Sequence, residues 1–481
     1  MRGAKVSAEL DGKVKSLAGD KVVLKPLTRW NDAYKEFPRY VMEFLCARYV
    51  SPESPAQGQA RIDRIIQERY VDSGAKELIR HRIRERGTYS LIGELKVRYD
   101  ARRDVYWADI PAIGESTARI APGVLKRYED ILLTSGAWGT IGVEHEPEYQ
   151  LKGAKYPFVV REFTPFQISR VDLDEFVHLR HALTDNEWMD LLIQSIGFDP
   201  DKFAIRTKWL MLLRLIPFVE PNYNLIELGP RETGKTYTYR NTSSRSFVIS
   251  GSRATAASLF YNVNTRRIGI LGLKDVVFFD EVAHAEFDDA MTTLSVLKDY
   301  MQTGRFSRLG QEFTAQASIV LGGNIDCDVV ERRPSRRYMH LFEPLPEDLQ
   351  DPAFLDRIHA YHPGWEIPKI EPENYAHGYG FITDYLAEIF VRLRRRNFQT
   401  IVDSASNLSR LGERNQTAVK KTAAGLLKLL FPQRTPETIK EHELAPCLAL
   451  ANECRQRVID QLAILLPGEF AGVRVMASVA Q

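Results

Sequence analysis

The sequence predicts an α/β fold in which a parallel sheet lies between helices and carries a phosphate-binding loop. A helical lid is expected after the sheet and a smaller α+β domain before it. Three stretches predict this. NYNLIELGPRETGKTYTYR (222–240) runs an apolar segment into a glycine-bracketed loop, DVVFFDEVAH (275–284) is an apolar run ending in Asp280 and Glu281, and ASIVLGGNI (317–325) is a second such run reaching Asn324. Apolar runs without alternation suit central strands covered on both faces, and open parallel sheets bind ligands at the strands' carboxyl ends.

The loop is Gly229, Pro230, Arg231, Glu232, Thr233, Gly234, Lys235 and Thr236. It fits G-x-x-x-x-G-K-[ST] between a predicted strand and a predicted helix start, the context that the motif requires. Gly229 and Gly234 are expected to let the backbone turn so that successive N–H groups face the phosphates of ATP. Lys235 then reaches the β and γ oxygens, and the Thr236 hydroxyl ligates Mg2+.

Asp280 and Glu281 follow Lys235 by 45 and 46 residues. Asp280 is expected to hold the magnesium through water and Glu281 to activate the attacking water. Asn324 at the tip of the next strand suits a γ-phosphate sensor, although asparagine after two glycines is also an ordinary turn residue. Arg357, in DPAFLDRIHAY (351–361), lies beyond the sheet elements. In ring-forming motors an arginine so placed enters a neighbour's site, an effect worth about 10³ or more in rate; the bland alternative is a surface ion pair.

Composition fits this setting. The 481 residues are 44% hydrophobic and 27% charged, with a net charge of only +2. Cys46, Cys327, Cys447 and Cys454 are scattered, so neither a disulfide framework nor a zinc site is suggested and a reducing cytoplasm fits. Even WLMLLRLIPF is broken by Arg214 and Pro217, and no signal-peptide core opens the chain. Charge is uneven: residues 61–103 hold twelve Lys or Arg against seven Asp or Glu, with Arg80, Arg82, Arg84 and Arg86 close together. That run suits a nucleic-acid contact or a solvated helix face.

The expected organisation is an N-terminal α+β domain over 1–165, loosely organised to about residue 30, with two strands around a turn at Asp100 to Asp104. A helical linker follows over 166–205, then an α/β core over 206–345, a helical lid over 346–440 and a helical tail over 441–481. His359 and His362 have no third ligand in the sequence and are expected to be structural.

ELGPRETGKT, LFYN, VVFFDEVA, LKDYMQTGRF, AFLDRIHAYHPGWEIPK and GYGFITDYLAE together resemble the BrxL family, the Lon-like ATPases of BREX anti-phage systems, and IRERGTYSLIGELKVRYDARRDVYWADIPAIG extends the resemblance toward the N-terminus. The resemblance implies an AAA+ core similar to that of MCM helicases, a hexamer able to pair into a dodecamer, a channel for duplex DNA, other BREX components as partners and a role in phage restriction. The family usually carries a Lon-like protease-type region after the ATPase. The short stretch beyond GERNQTAVKKTAAGLLKLLFP does not suffice for it, so a short member or a truncation is expected, without proteolysis.

By the same comparison, LKDYMQTGRFSRLGQEFTAQ resembles the helix and channel hairpin of MCM-type motors, with Arg308 near the tip and Arg305 at the start as DNA contacts. Phe306 alternatively offers the aromatic grip of a protein-threading ring. A lid cation is expected at the γ-phosphate: Arg414, Lys420 and Lys421 are candidates, the MCM comparison favours Lys421, and a solvated helix face is the alternative. The run VERRPSRRY (330–338) lines the channel or forms a surface loop. Three functions stay open: a DNA-encircling ATPase, a protein unfoldase, and a DNA-bound scaffold with slow ATPase.

Overall fold

The computed structural model describes residues 2–29, 37–51, 53–70, 73–101, 103–133, 136–166, 171–251, 254–263, 266–308, 310–328 and 330–480. It divides into two compact units, one of Asp20–Val171 and one that joins Met1–Gly19 to Asp172–Gln481.

The N-terminal segment is thus more ordered than its alternating charge suggests. Helix α1 (Arg2–Ala18) buries Leu10, Val14 and Ala18, a stripe at spacing four that the intervening charged residues conceal in the sequence. Lys13 pairs with Glu187 at 2.7 Å, and the Asp11 carboxylate accepts the Tyr379 N–H at 2.8 Å. These contacts tie α1 into the larger unit, so the expected N-terminal domain over 1–165 loses its first helix to that unit.

The smaller unit holds α2 (Arg39–Tyr49), α3 (Pro55–Arg69) and α4 (Lys76–Arg86), then a closed five-stranded barrel. Its strands are β1 (Thr88–Asp100), β2 (Val105–Ile110), β3 (Glu115–Ile120), β4 (Ala137–His145) and β5 (Phe158–Pro165), with α5 (Pro122–Leu132) between β3 and β4. The turn after Asp100 lies where the sequence predicts it. The spatial order is β1-β2-β3-β5-β4, closing on β1, and only β3 and β5 run parallel. This is the strand order of an OB-type barrel. Ile79 and Ile83 of α4 sit one helical turn apart and join Leu91, Leu95, Ile141 and Val160 in the core. Arg82, Arg84 and Arg86 of α4 are exposed.

In the larger unit, α6 (Ile205–Leu213) leads into β6 (Asn224–Gly229), the phosphate loop and α7 (Lys235–Asn241). Strands β7 (Ser246–Ser250) and β8 (Val276–Asp280) follow, then α8 (Ala290–Thr303), a hairpin of β9 (Arg305–Arg308) and β10 (Gln311–Thr314), and β11 (Ser318–Asn324). The short helix α9 (Pro352–Leu355) precedes β12 (Ala360–Pro363). Five strands form one parallel sheet in the order β7-β8-β11-β6-β12. Every residue of β6 is buried, as a strand covered on both faces requires. Helices α10 (Glu413–Leu430) and α11 (Glu441–Leu465) form much of the C-terminal helical layer. Among the described residues, no helix is long and apolar enough to cross a membrane.

Candidate nucleotide site

The loop begins where β6 ends, and its two glycines do different work. A Cβ on Gly229 would lie 2.6 Å from the carbonyl oxygen of Gly364 and 2.7 Å from its Cα. Gly229 is therefore small because the backbone after β12 passes against it, rather than because the chain turns there. Gly234 has φ +78° and does need the left-handed region that glycine tolerates. Glu232, also left-handed at φ +64°, is held by its carbonyl, which accepts the Ile370 N–H at 2.8 Å.

The Lys235 amine folds back over the loop, donating to the Pro230 carbonyl at 2.7 Å and the Gly229 carbonyl at 3.3 Å. Burial lowers its pKa to about 8, with the neighbouring Arg214 charge adding to that effect and Glu227 opposing it. The Thr236 hydroxyl donates to the Asp280 carboxylate at 2.6 Å, joining the loop to the tip of β8. These two hard oxygen donors suit Mg2+, which is usually held by one or two protein groups, the substrate phosphates and water. Glu281 is exposed at φ +52°, a costly conformation for a non-glycine residue. Asn324 is in register with Gly229 and stands exposed at the end of β11.

These groups line one cavity of about 570 Å³, with Arg231, Glu232, Thr233 and Gly234. Its other wall was not found from the sequence: Phe198, Tyr237, Ile370 and Tyr375. The rings of Phe198 and Tyr375 are nearly parallel with centroids 6.3 Å apart, and Tyr237 lies 5.8 Å from Tyr375. Tyr237 follows the motif directly, but nothing local links it with Phe198 and Tyr375, which come together through a strand-like bridge.

Four predicted cations are elsewhere. Arg357 donates to the Ala353 carbonyl, while its own carbonyl accepts Asn224 Nδ2 at 2.9 Å beside the first residue of β6. Arg414 pairs with Asp356. Lys421 is half-buried, and its amine donates to the carbonyls of Pro221 and Asn222 at 3.1 and 2.8 Å, just before β6. The lid cation expected at the γ-phosphate is thus not delivered to this chain's own cavity: Lys421 and Arg414 sit at the amino end of a strand whose carboxyl end carries the loop. Lys420 pairs with Asp403 at 2.9 Å.

The hairpin forms as expected, with Arg305 opposite Thr314 and Arg308 opposite Gln311. Residue 309 at its tip lies outside the described residues. Arg305 is exposed, 3.5 Å from Glu312, and Arg308 is half-buried. Phe306 is only 2% exposed, packed 5.1 Å from Phe260 and 5.3 Å from Phe313, which removes it as an aromatic grip. A second hairpin that the sequence did not announce, Tyr261–Asn262 with Arg267–Ile268, stacks Tyr261 on Phe313 at 4.8 Å. In the run 330–338, Arg333 pairs with Glu331, and Arg337 with Asp326 at 2.5 Å. His359 and His362 are buried; His359 Nδ1 accepts the Asn224 N–H at 2.8 Å and His362 Nε2 meets the Leu210 carbonyl at 2.9 Å.

A parallel sheet with a glycine-bracketed lysine loop, a hydroxyl–carboxylate pair and an adjacent free-standing carboxylate defines an ATPase-type domain. A family model described as "Lon-like protease BrxL-like, ATPase domain" matches residues 158–476, and one described as "BREX system Lon protease-like protein BrxL N-terminal" matches residues 17–145. The chain belongs to the BrxL family. It is 38% identical over 469 residues to Lon-like protease BrxL of Escherichia coli O9:H4 (strain HS), covering 97% of this chain and 66% of that protein. It is 38% identical over 471 residues to the Bacillus cereus (strain H3081.97) protein of the same name, covering 97% and 68%. Uncharacterized protein 440 of Sulfolobus islandicus rod-shaped virus 1 is 27% identical over 215 residues, covering 40% and 46%. The chain spans about two thirds of the length of the two BrxL relatives.

Proposed function

We propose that the chain is an AAA+ ATPase that assembles into a hexameric ring around DNA, able to pair into a dodecamer, and couples ATP hydrolysis to DNA binding or translocation in cytoplasmic BREX defence. The observation that carries this reading is the convergence of Lys235, Thr236, Asp280, Glu281 and Asn324 on one cavity at the carboxyl ends of a parallel sheet. Lys235 leaves the carbonyls of its own loop for the phosphate oxygens, exchanging neutral acceptors for charged ones. Thr236 and Asp280 hold Mg2+, which when bound neutralises charge developing on the β and γ oxygens. Glu281 orients a water and takes its proton, and Asn324 fixes that water against the γ-phosphate. The aromatic wall of Phe198, Tyr237 and Tyr375 receives the base.

Arg357, with Arg414 and Lys421 beside the same strand end, completes the site of an adjacent copy, which makes the ring a catalytic requirement. Arg308 and Arg305 contact DNA phosphate from the hairpin, and Arg82, Arg84 and Arg86 do so from α4, next to a barrel type that commonly binds oligonucleotides. The protein-unfoldase alternative loses its grip residue, since Phe306 is buried. Duplex DNA should stimulate ATP turnover several-fold, and an unfolded protein should not. Stimulation by the unfolded protein alone would move the unfoldase reading to the front, and DNA binding without any effect on turnover would favour the scaffold.

A further inference from the structure

Directly beneath the phosphate loop lies an ion pair that the ATPase reading does not use. Arg214, just after α6, and Glu227, two residues before Gly229 on β6, are both fully buried. Arg214 Nε donates to the two carboxylate oxygens at 3.1 and 3.0 Å and Nη2 to one of them at 2.5 Å. The remaining nitrogen, Nη1, donates to the Thr233 carbonyl in the loop itself at 2.9 Å. A buried ion pair often contributes no more to stability than apolar side chains of the same volume. Stability alone therefore gives little reason for this one, and its third contact suggests another.

The Thr233 carbonyl and the Gly234 N–H belong to one planar trans peptide, so they point in opposite directions. Holding the carbonyl down on Arg214 turns the N–H up toward the cavity. Among the described residues that N–H has no protein partner. Gly234 itself takes a left-handed backbone that many rotations of the flanking peptides would tolerate, so the peptide needs an external anchor. Glu227 supplies the fixed end, because it is part of β6, a buried strand paired on both edges.

We propose that Arg214, clamped by Glu227, is a positioning residue for nucleotide binding: it fixes the 233–234 peptide so that Gly234 N–H is aimed at the nucleotide phosphates before they arrive. Only the arginine fork spans the carboxylate and the carbonyl together; a lysine amine keeps the charge and loses the geometry. The inference rests on the cavity being an ATP site.

The test uses the full chain with ATP and magnesium. Two variants are compared with wild type: Arg214→Lys, which keeps a charge pair, and the double Arg214→Met with Glu227→Leu, which leaves neither charge unpaired. A hydrogen bond to a charged group is worth about 1.5–3 kcal/mol, so a misaimed donor should raise Kd and KM roughly 10- to 100-fold. Because that contact is made in the ground state and the transition state alike, kcat at saturating ATP should stay within about threefold of wild type. The melting temperature without nucleotide should fall by only a few degrees in Arg214→Lys. Wild-type affinity in a folded variant, or weakened binding that follows only the fraction of folded protein, would overturn the proposal and leave the pair a core ion pair. Failure of the wild-type protein to bind ATP would instead sink the nucleotide-site reading.

Discussion

Replacing Gly229 with alanine tests the join between the sheet and the loop. The added Cβ would meet Gly364 at 2.6 Å from its oxygen and 2.7 Å from its Cα, against an ordinary contact of 3.4 Å or more. Both sides of the clash are backbone, so no side chain can rotate away, and β6 and β12 must separate by nearly an ångström at the mouth of the loop. Overpacking of this kind costs about 1–3 kcal/mol, which lowers the melting temperature by several degrees. Part of the cost falls on function, since the displaced carbonyl of Gly229 also accepts from Lys235.

The same contact can be approached from the other side. A Cβ on Gly364 would lie 2.6 Å from the Leu228 oxygen and 3.0 Å from Gly229 Cα. Gly364→Ala should therefore reproduce the defect, and the double variant should cost clearly less than the sum, because the strands need to part only once. Thermal melts with and without ATP·Mg2+ measure all three variants. Wild-type melting and wild-type affinity in Gly229→Ala would refute the close approach, and full additivity would refute the shared contact.

Four further outcomes follow from the site. Lys235→Ala should abolish ATP binding while Glu281→Gln binds normally and loses hydrolysis by at least about 100-fold; comparable turnover in Glu281→Gln and wild type would remove Glu281 from its role. Arg357→Ala should keep its nucleotide but not hydrolyse it, and mixing it with Lys235→Ala should restore part of the activity in co-assembled rings; no recovery despite proven co-assembly would count against a shared site. Reversing Arg82, Arg84 and Arg86 to glutamate should flatten the slope of log affinity for DNA against log salt by up to about 2.7, at 0.9 per phosphate, while Arg308→Glu should instead uncouple DNA from turnover; unchanged slopes and turnover would remove both patches from the interface. Burial lowers the His362 pKa from 6.5 to about 4, so the unfolded chain takes up the proton first and stability should fall with pH below 6.5, by about 1–2 kcal/mol at pH 5.5; the fall should steepen below pH 4.5, where Glu227, held at about 2 in the fold by Arg214 against the effect of burial, becomes protonated in the unfolded chain. Urea midpoints at pH 7, 5.5, 4.5 and 3.5 measure this, and a flat profile would contradict it.

What the sequence makes legible is what is contiguous. The strand, loop and helix start from Asn224 to Asn241 can be read in order, because each step depends on near neighbours and the motif specifies its own context. Asp280 and Asn324 are legible because unbroken apolar runs announce buried parallel strands, and such strands deliver their last residue to the ligand side. The barrel is only half legible: the turn after Asp100 is local, whereas the closing pairs of β4 with β1 and β5 depend on register between distant segments. Phe198 and Tyr375 are 177 positions apart and carry no pattern, and neither does Arg214, which in sequence only interrupts an apolar helix.

The placement of the lid cations is also informative about the site. A lid cation is expected at a γ-phosphate, and in this chain Lys421 is held by carbonyls preceding β6 and Arg414 by Asp356, near Arg357, away from the chain's own loop. Six strand residues span β6 from that end to the loop, on the order of 16 Å at about 3.3 Å per residue, and a buried strand paired on both edges does not bend to close such a gap. The charges proposed to bind phosphate and those proposed to neutralise the transition state thus occupy opposite ends of the same strand. Under the proposed reading, a single copy holds the binding half of one site and the arginine half of another, and no side-chain motion within the chain can unite them. Only a second copy, docked with its amino strand ends against the first copy's carboxyl ends, completes the set; because the two ends differ, the contact is head-to-tail, and head-to-tail contacts that close make rings.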